Sequence, residues 1–189
     1  MKYKAKEVLL KNGKKILLRS PEVEDAQKML LYLSTTAMES DYMVRMPEEC
    51  RNDLKEEEVW LENMIKNQRQ GMIVADHENQ IIGSVSYAPV LDRIKIKHRA
   101  GLGIALFKEY QGIGLGSILM EEVLCEITKA GFEQVELEVV SKNEKAIQLY
   151  QKFGFEKVGC IPHGFKLKNG QYMDLIMMVR KMEEENENI

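Results

Sequence analysis

Gln111-Gly112-Ile113-Gly114-Leu115-Gly116-Ser117 sets three alternate glycines between a strand-like run, Leu102 to Phe107, and a helix-like run, Leu115 to Ala130. Residues without a Cβ leave backbone N–H groups unobstructed, and at a strand-to-helix junction those groups stand beside the positive end of the helix dipole. Such a loop is chemically suited to a phosphate, and its plain alternative is a tight turn whose glycines serve only helix–strand packing. It is not a nucleoside-triphosphate loop, because no Gly-Lys-Ser/Thr follows the glycines. It also fails the dinucleotide fingerprint: counted from Gly112, the sixth position is Ser117 where Gly or Ala is required.

A second constellation lies further along the chain, at Asn143-Glu144-Lys145-Ala146-Ile147-Gln148-Leu149-Tyr150-Gln151-Lys152-Phe153-Gly154-Phe155. Ala146, Leu149, Tyr150 and Phe153 recur at helical spacing, so one face packs inward and Tyr150 lies at its edge. A ring that is simply core, with a hydroxyl reaching solvent, explains that spacing equally well. Asn143 is a preferred N-cap in any protein, and Lys152 reads as a solvated residue of the last turn.

Around these motifs the hydrophobic periods give a mixed order of elements. Ile16 to Arg19 is a strand; Ser20 as cap and Pro21 at the first helical position open a helix carrying Val23, Ala26, Met29 or Leu30, and Leu33. A second helix, about Lys55 to Asn67, places Val59, Trp60, Met64 and Ile65 on one side. Met72 to Asp76 and Ile81 to Ala88 form a hairpin, His98 to Phe107 a further strand, and Leu115 to Ala130 the helix that stops at Gly131. Val135 to Val140, the Asn143 helix, and strands near Lys157 to Phe165 and Tyr172 to Arg180 complete the order β-α-α-β-β-β-α-β-α-β-β.

A chain of 189 residues with 44% hydrophobic content suits one domain, here 1–182, followed by an acidic tail at 183–189. A formal net charge of −3 without a long basic tract disfavours wholesale nucleic-acid binding. Cys50, Cys125 and Cys160 are odd in number and far apart, which argues against a disulfide framework or structural zinc. The lysine-rich start shows no leader, and no run has the length of a membrane span, so a cytoplasmic protein is expected.

The glycine loop resembles the acyl-CoA-binding loop of the GCN5-related N-acetyltransferase (GNAT) superfamily, Gln/Arg-x-x-Gly-x-Gly/Ala, matched by Gln111, Gly114 and Gly116. The Asn143 to Phe155 segment is similar to that family's Asn-x-x-Ala-x-x-Leu-Tyr-x-Lys-x-Gly-Phe helix, and the element order agrees from Ile16 to Arg180. The resemblance implies an α/β (α+β) fold: one mostly antiparallel, twisted mixed sheet, splayed at its central strands, with helices on both faces. It implies acetyl-CoA as co-substrate, no metal, and transfer of the acetyl group to a primary amine by direct attack. The alternative in keeping with the same loop is a non-catalytic acyl-CoA-binding module.

Carried over by position, the resemblance assigns the phosphate seat to Gln111, Gly112, Ile113, Gly114, Leu115, Gly116 and Ser117. Pantetheine contacts fall to backbone groups near Leu106 and Lys108 and to Asn143; a CoA phosphate falls to Lys152. Tyr150 becomes the general acid for the departing thiolate. The general base does not carry over, because Gly101 stands where many relatives have glutamate; His98, Glu138 and Glu109 are the titratable groups nearby in sequence. The ending Phe165 to Asp174 resembles the branch of ribosomal-protein N-terminal and spermidine acetyltransferases, which narrows the branch and not the substrate; the acceptor is expected to be a small-molecule amine or a peptide N-terminus, the charge balance and the lack of a span argue against nucleic-acid and membrane partners, and a homodimer is admitted.

Overall fold

The computed structural model describes residues 2–50 and 53–182; the acidic tail expected at 183–189 lies outside them. Eight strands form one sheet in the order β1-β2-β3-β4-β5-β6-β8-β7. They are β1 (Lys6–Leu9), β2 (Lys15–Arg19), β3 (Gly71–His77), β4 (Gln80–Pro89), β5 (Arg99–Leu106), β6 (Gln134–Val140), β7 (Glu156–Lys166) and β8 (Tyr172–Lys181). The helices are α1 (Ala26–Glu39), α2 (Leu54–Lys66), α3 (Leu115–Lys129) and α4 (Glu144–Lys152). The chain divides into two compact units, Met1–Tyr87 with Gly103–Val123, and Ala88–Leu102 with Leu124–Ile189.

In the first unit β1, β2, β3 and β4 pair antiparallel in succession. The alternation of β2 buries Ile16 and Leu18, while α1 buries Met29 and Tyr32 and α2 buries Leu61. β1 is an addition to the expected order. Its residues Lys-Glu-Val-Leu are exposed on nearly every position, and a lysine-bearing edge strand carries no period-2 signal because neither face is buried.

Two local readings change. Ser20 does not cap α1: its hydroxyl accepts from Tyr3 N–H at 2.8 Å, and a 3₁₀ turn at Val23–Asp25 leads into the helix instead. There Arg19 bridges Asp25 (2.5 Å) and Asp76 (2.7 Å), and the Asp25 bond foremost raises the guanidinium's affinity for its proton. Burial pushes the Asp25 carboxyl up, but the Arg19 and Glu22 N–H contacts outweigh it and hold the pKa below its usual value. On α2 the inward face is Glu57, Leu61 and Met64, whereas Val59 is 56% exposed. A glutamate at the first inward position disguised the i, i+4, i+7 face.

In the second unit β5 and β6 run parallel, but their ladder is confined to Arg99↔Gln134 through Gly101↔Glu136, although both strands continue. β6 then pairs with β8 along its whole length, and β8 with β7. Between Ile161 and Phe165 the β7 register shifts, with His163 at φ 53° and its N–H held by the Asp174 carboxylate at 2.9 Å. Val135 and Met178 are fully buried in the core of this unit.

Candidate active site

The glycine loop belongs to the first unit. Gly112 has φ +76° and Gly114 φ +100°, left-handed conformations that side chains rarely adopt. The carbonyl of Gly114 accepts the first helical bond, from Ile118 N–H at 3.2 Å. The amides just after Gly114 therefore lie ahead of the α3 hydrogen-bond ladder, as at any helix start. A Cβ built on Gly112 meets nothing within 4 Å, so the loop presents an open face of backbone. Leu115 itself is buried and anchors the helix start. Such a cradle fits a phosphate group.

The residues leading into the loop are held by a set of specific bonds. A 3₁₀ turn spans Lys108–Tyr110, and the phenol of Tyr110, a buried residue, meets His77 Nδ1 at 2.9 Å. Gln111 folds back so that Nε2 donates to the Leu106 carbonyl at 3.3 Å, which gives the loop glutamine a structural task in this chain. The Lys108 N–H donates to Glu39 Oε2 at 2.7 Å, so that amide, expected to be open to a ligand, has a carboxylate partner from the end of α1. The neighbouring Ala105 carbonyl accepts from the Tyr32 hydroxyl at 2.9 Å.

Two residues of this neighbourhood are tied to the loop by no local sequence signal. Glu39 is one. The other is Lys11, in the β1–β2 turn, whose stem carbons lie 3.7–3.9 Å from the position of a Cβ on Gly114. Neither carries a local motif; only the tertiary fold brings them to the loop.

The second unit carries the α4 constellation. Asn143 caps α4 as its residue type predicts, its side chain accepting from Ala146 N–H at 3.3 Å. Tyr150 is buried to 7% exposure, its ring tilted against Phe155 at 5.9 Å. Burial pushes its phenol up to about 12, so the hydroxyl is a proton donor throughout the neutral range. Among the described residues its oxygen has no hydrogen-bond partner. Lys152 Nζ lies 5.5 Å from the Phe153 ring.

The base candidates are dispersed. His98 directly precedes β5, and its carbonyl accepts from Glu133 and Gln134 N–H at 2.9 and 3.3 Å. Glu138 is an exposed residue of β6, opposite Met177 of β8. Two residues earlier, Glu136 is engaged by Arg99 in a forked ion pair at 2.6–3.1 Å. A Cβ on Gly101 would meet only the Ala88 carbonyl, at 3.9 Å, so this position has room for a side chain that the chain does not supply. Glu109 lies in the exposed turn before the loop.

The model of the acetyltransferase (GNAT) family matches residues 35–155, which include both motifs. A spermidine N(1)-acetyltransferase of Vibrio cholerae is 30% identical over 72% of this chain and 76% of its own length. An L-amino acid N-acetyltransferase of Escherichia coli is 29% identical over 65% of this chain and 75% of its own. Among solved structures, a GNAT-family acetyltransferase from Streptococcus pneumoniae superposes with a TM-score of 0.84 at 27% identity, covering 88% of this chain and 99% of that one. The chain belongs to the GNAT family of acetyltransferases. Within that class it is an N-acetyltransferase whose acetyl donor is acetyl-CoA.

Proposed function

We propose that this protein acetylates a primary amine, of the kind found on polyamines, amino acids or protein N-termini, by direct attack without a covalent enzyme intermediate. The observation that carries the reading is the glycine cradle at the start of α3, with Gly112 and Gly114 held at φ +76° and +100° beside an open face. The co-substrate, when bound, supplies an acetyl group activated as a thioester. Gln111 to Ser117 hold its phosphates. The main chain near Leu106 and Lys108 orients the pantetheine arm once the ligand displaces Glu39 from the Lys108 N–H. In the second unit, Asn143 and Lys152 are the α4 groups whose chemistry suits polar contact with the donor.

Tyr150 holds the proton that the departing sulfur takes, a role supported by its raised pKa and unshared hydroxyl. Glu138 and His98 are the groups proposed to accept the amine's proton, directly or through water. A cysteine route is disfavoured by the thiols themselves. Burial raises the Cys50 pKa, and its Sγ donates to the Leu33 and Met46 carbonyls at 3.6 Å. Cys125 and Cys160 are free thiols, and among the described residues no base is hydrogen-bonded to either.

The test is thiol release from acetyl-CoA in the presence of spermidine, single amino acids, or peptides with a free N-terminal alanine. Turnover with any one of them supports the proposal. Stabilisation by CoA with no turnover across the panel would assign the protein instead to non-catalytic acyl-CoA binding.

A further inference from the structure

We infer that Lys11 is a second wall of the phosphate cradle, its ammonium pairing with the pyrophosphate of the acyl-CoA seated on Gln111 to Ser117; this rests on the acetyl-CoA reading above. The β1–β2 turn is built to hold that residue. Gly13 takes φ +83°, Leu10 N–H donates to the Lys14 carbonyl and Gly13 N–H to the Leu10 carbonyl, both at 2.9 Å, and Asn12 Oδ1 accepts from Lys14 N–H. The turn is fastened to the loop itself, because Lys11 N–H donates to the Ile113 carbonyl at 3.3 Å.

Side-chain packing continues that contact. Lys11 Cγ and Cε both lie 3.7 Å from the Cβ position of Gly114, and Cδ 3.9 Å, so the stem runs along the cradle. One bond beyond Cε, the ammonium is carried within roughly 5 Å of the same point, close enough to pair with an anion bound there. The absent Cβ at Gly114 serves its positive φ, and the Lys11 stem lies at van der Waals distance from where that Cβ would be.

The other lysines of the hairpin are engaged elsewhere. Lys6 pairs with Glu122 at 2.5 Å, Lys15 with Glu7 at 3.1 Å, and Lys14 Nζ stands 4.5 Å from the Tyr110 ring centroid. Among the described residues Lys11 has no carboxylate partner. In a chain of net charge −3, a lysine stem laid on a phosphate cradle without an anion of its own is complementary to the ligand's charge.

The experiment compares wild type with Lys11→Met, which retains an unbranched apolar stem and removes the charge. Dissociation constants for acetyl-CoA and for dephospho-CoA are measured by titration calorimetry at low and high salt, alongside the Tm of the unliganded proteins. Lys11→Met is expected to weaken acetyl-CoA binding about fivefold at low salt, a solvent-exposed ion pair being worth up to ~1 kcal/mol, and the gap should narrow at high salt. The same loss with dephospho-CoA, and an unchanged unliganded Tm, complete the expected result. Equal affinity of the two proteins at low salt would overturn the inference, as would a loss that vanishes with dephospho-CoA, since the partner would then be the 3′-phosphate. Failure of the wild type to bind acetyl-CoA at all would be a different result, refuting the acetyl-CoA reading itself.

Discussion

Tyr150→Phe removes one oxygen from a ring that is 7% exposed and leaves the ring's own packing on Phe155 in place. Among the described residues the hydroxyl has no partner to orphan, so the cost in folding should be below about 0.5 kcal/mol, and for a domain of this size the Tm should move by less than about 2 °C. Catalysis should respond differently. With its pKa pushed up to about 12, the phenol remains protonated at neutral pH and is suited to giving a proton rather than taking one. Proton transfer by a positioned group contributes about 10²–10⁴-fold, and a thiol with an ordinary pKa near ~8.5 is a tolerable leaving group unaided, which places this case at the lower end. The expected loss in kcat is therefore about 10²-fold, or ~2.7 kcal/mol of barrier. Thiol release at saturating acetyl-CoA and amine measures it, with calorimetric titration to confirm that acetyl-CoA affinity is retained. A kcat within threefold of wild type would refute the assignment of Tyr150, as would a loss matched by weakened acetyl-CoA binding or a large fall in Tm.

Other consequences are equally open to measurement. Burial raises the pKa of Tyr32 as well as Tyr150 to about 12, so between pH 10 and 12 the unfolded chain releases protons that the folded chain retains. Stability is thus lost as pH rises through that window, by about 1 kcal/mol per tyrosine at pH 11, and denaturant titration should show half of this loss removed in Tyr150→Phe. Asp25→Asn leaves the Arg19 guanidinium short of a partner at a site where the carboxylate is only 4% exposed; chemical denaturation should report a loss of about 2–4 kcal/mol. In the wild type the same lowered carboxyl pKa contributes stability above its unfolded value, lost as pH falls through the folded one. Gly114→Ala has room against the Lys11 stem but not the backbone freedom for φ +100°, so it should cost about 1–2 kcal/mol and weaken acetyl-CoA binding. Glu39→Ala frees the Lys108 amide and should leave acetyl-CoA affinity equal or higher by calorimetry; a marked loss would show that Glu39 supports donor binding rather than competing for the amide.

The parts of this fold legible in the sequence are those whose signals are local. Alternate glycines before an apolar helix mark the α3 start and Asn143 marks the α4 start, both as found, but the face α4 buries is Ile147 with Tyr150, while Ala146, Leu149 and Phe153 are only half-buried. β1 was hidden because an exposed edge strand has no buried face to impose alternation. The inward face of α2 was hidden by Glu57, a charged residue that is only 1% exposed. Lys11 and Glu39 act on the loop through contacts spanning long stretches of chain, and no spacing rule links a turn lysine to a glycine that distant. The missing base has the same origin: Gly101 shows where a side chain is absent, whereas a replacement elsewhere is visible only through geometry around bound substrates.

The central claim is transfer of an acetyl group from acetyl-CoA to an amine. Its most direct measurement is incubation of the purified protein with acetyl-CoA and the amine panel, with mass spectrometry of the amine and stoichiometric detection of free CoA. One amine should become heavier by a single acetyl group, with one thiol released per product and none when the amine is omitted. Thiol release without an acetylated amine, or no turnover with any primary amine despite acetyl-CoA binding, would contradict it.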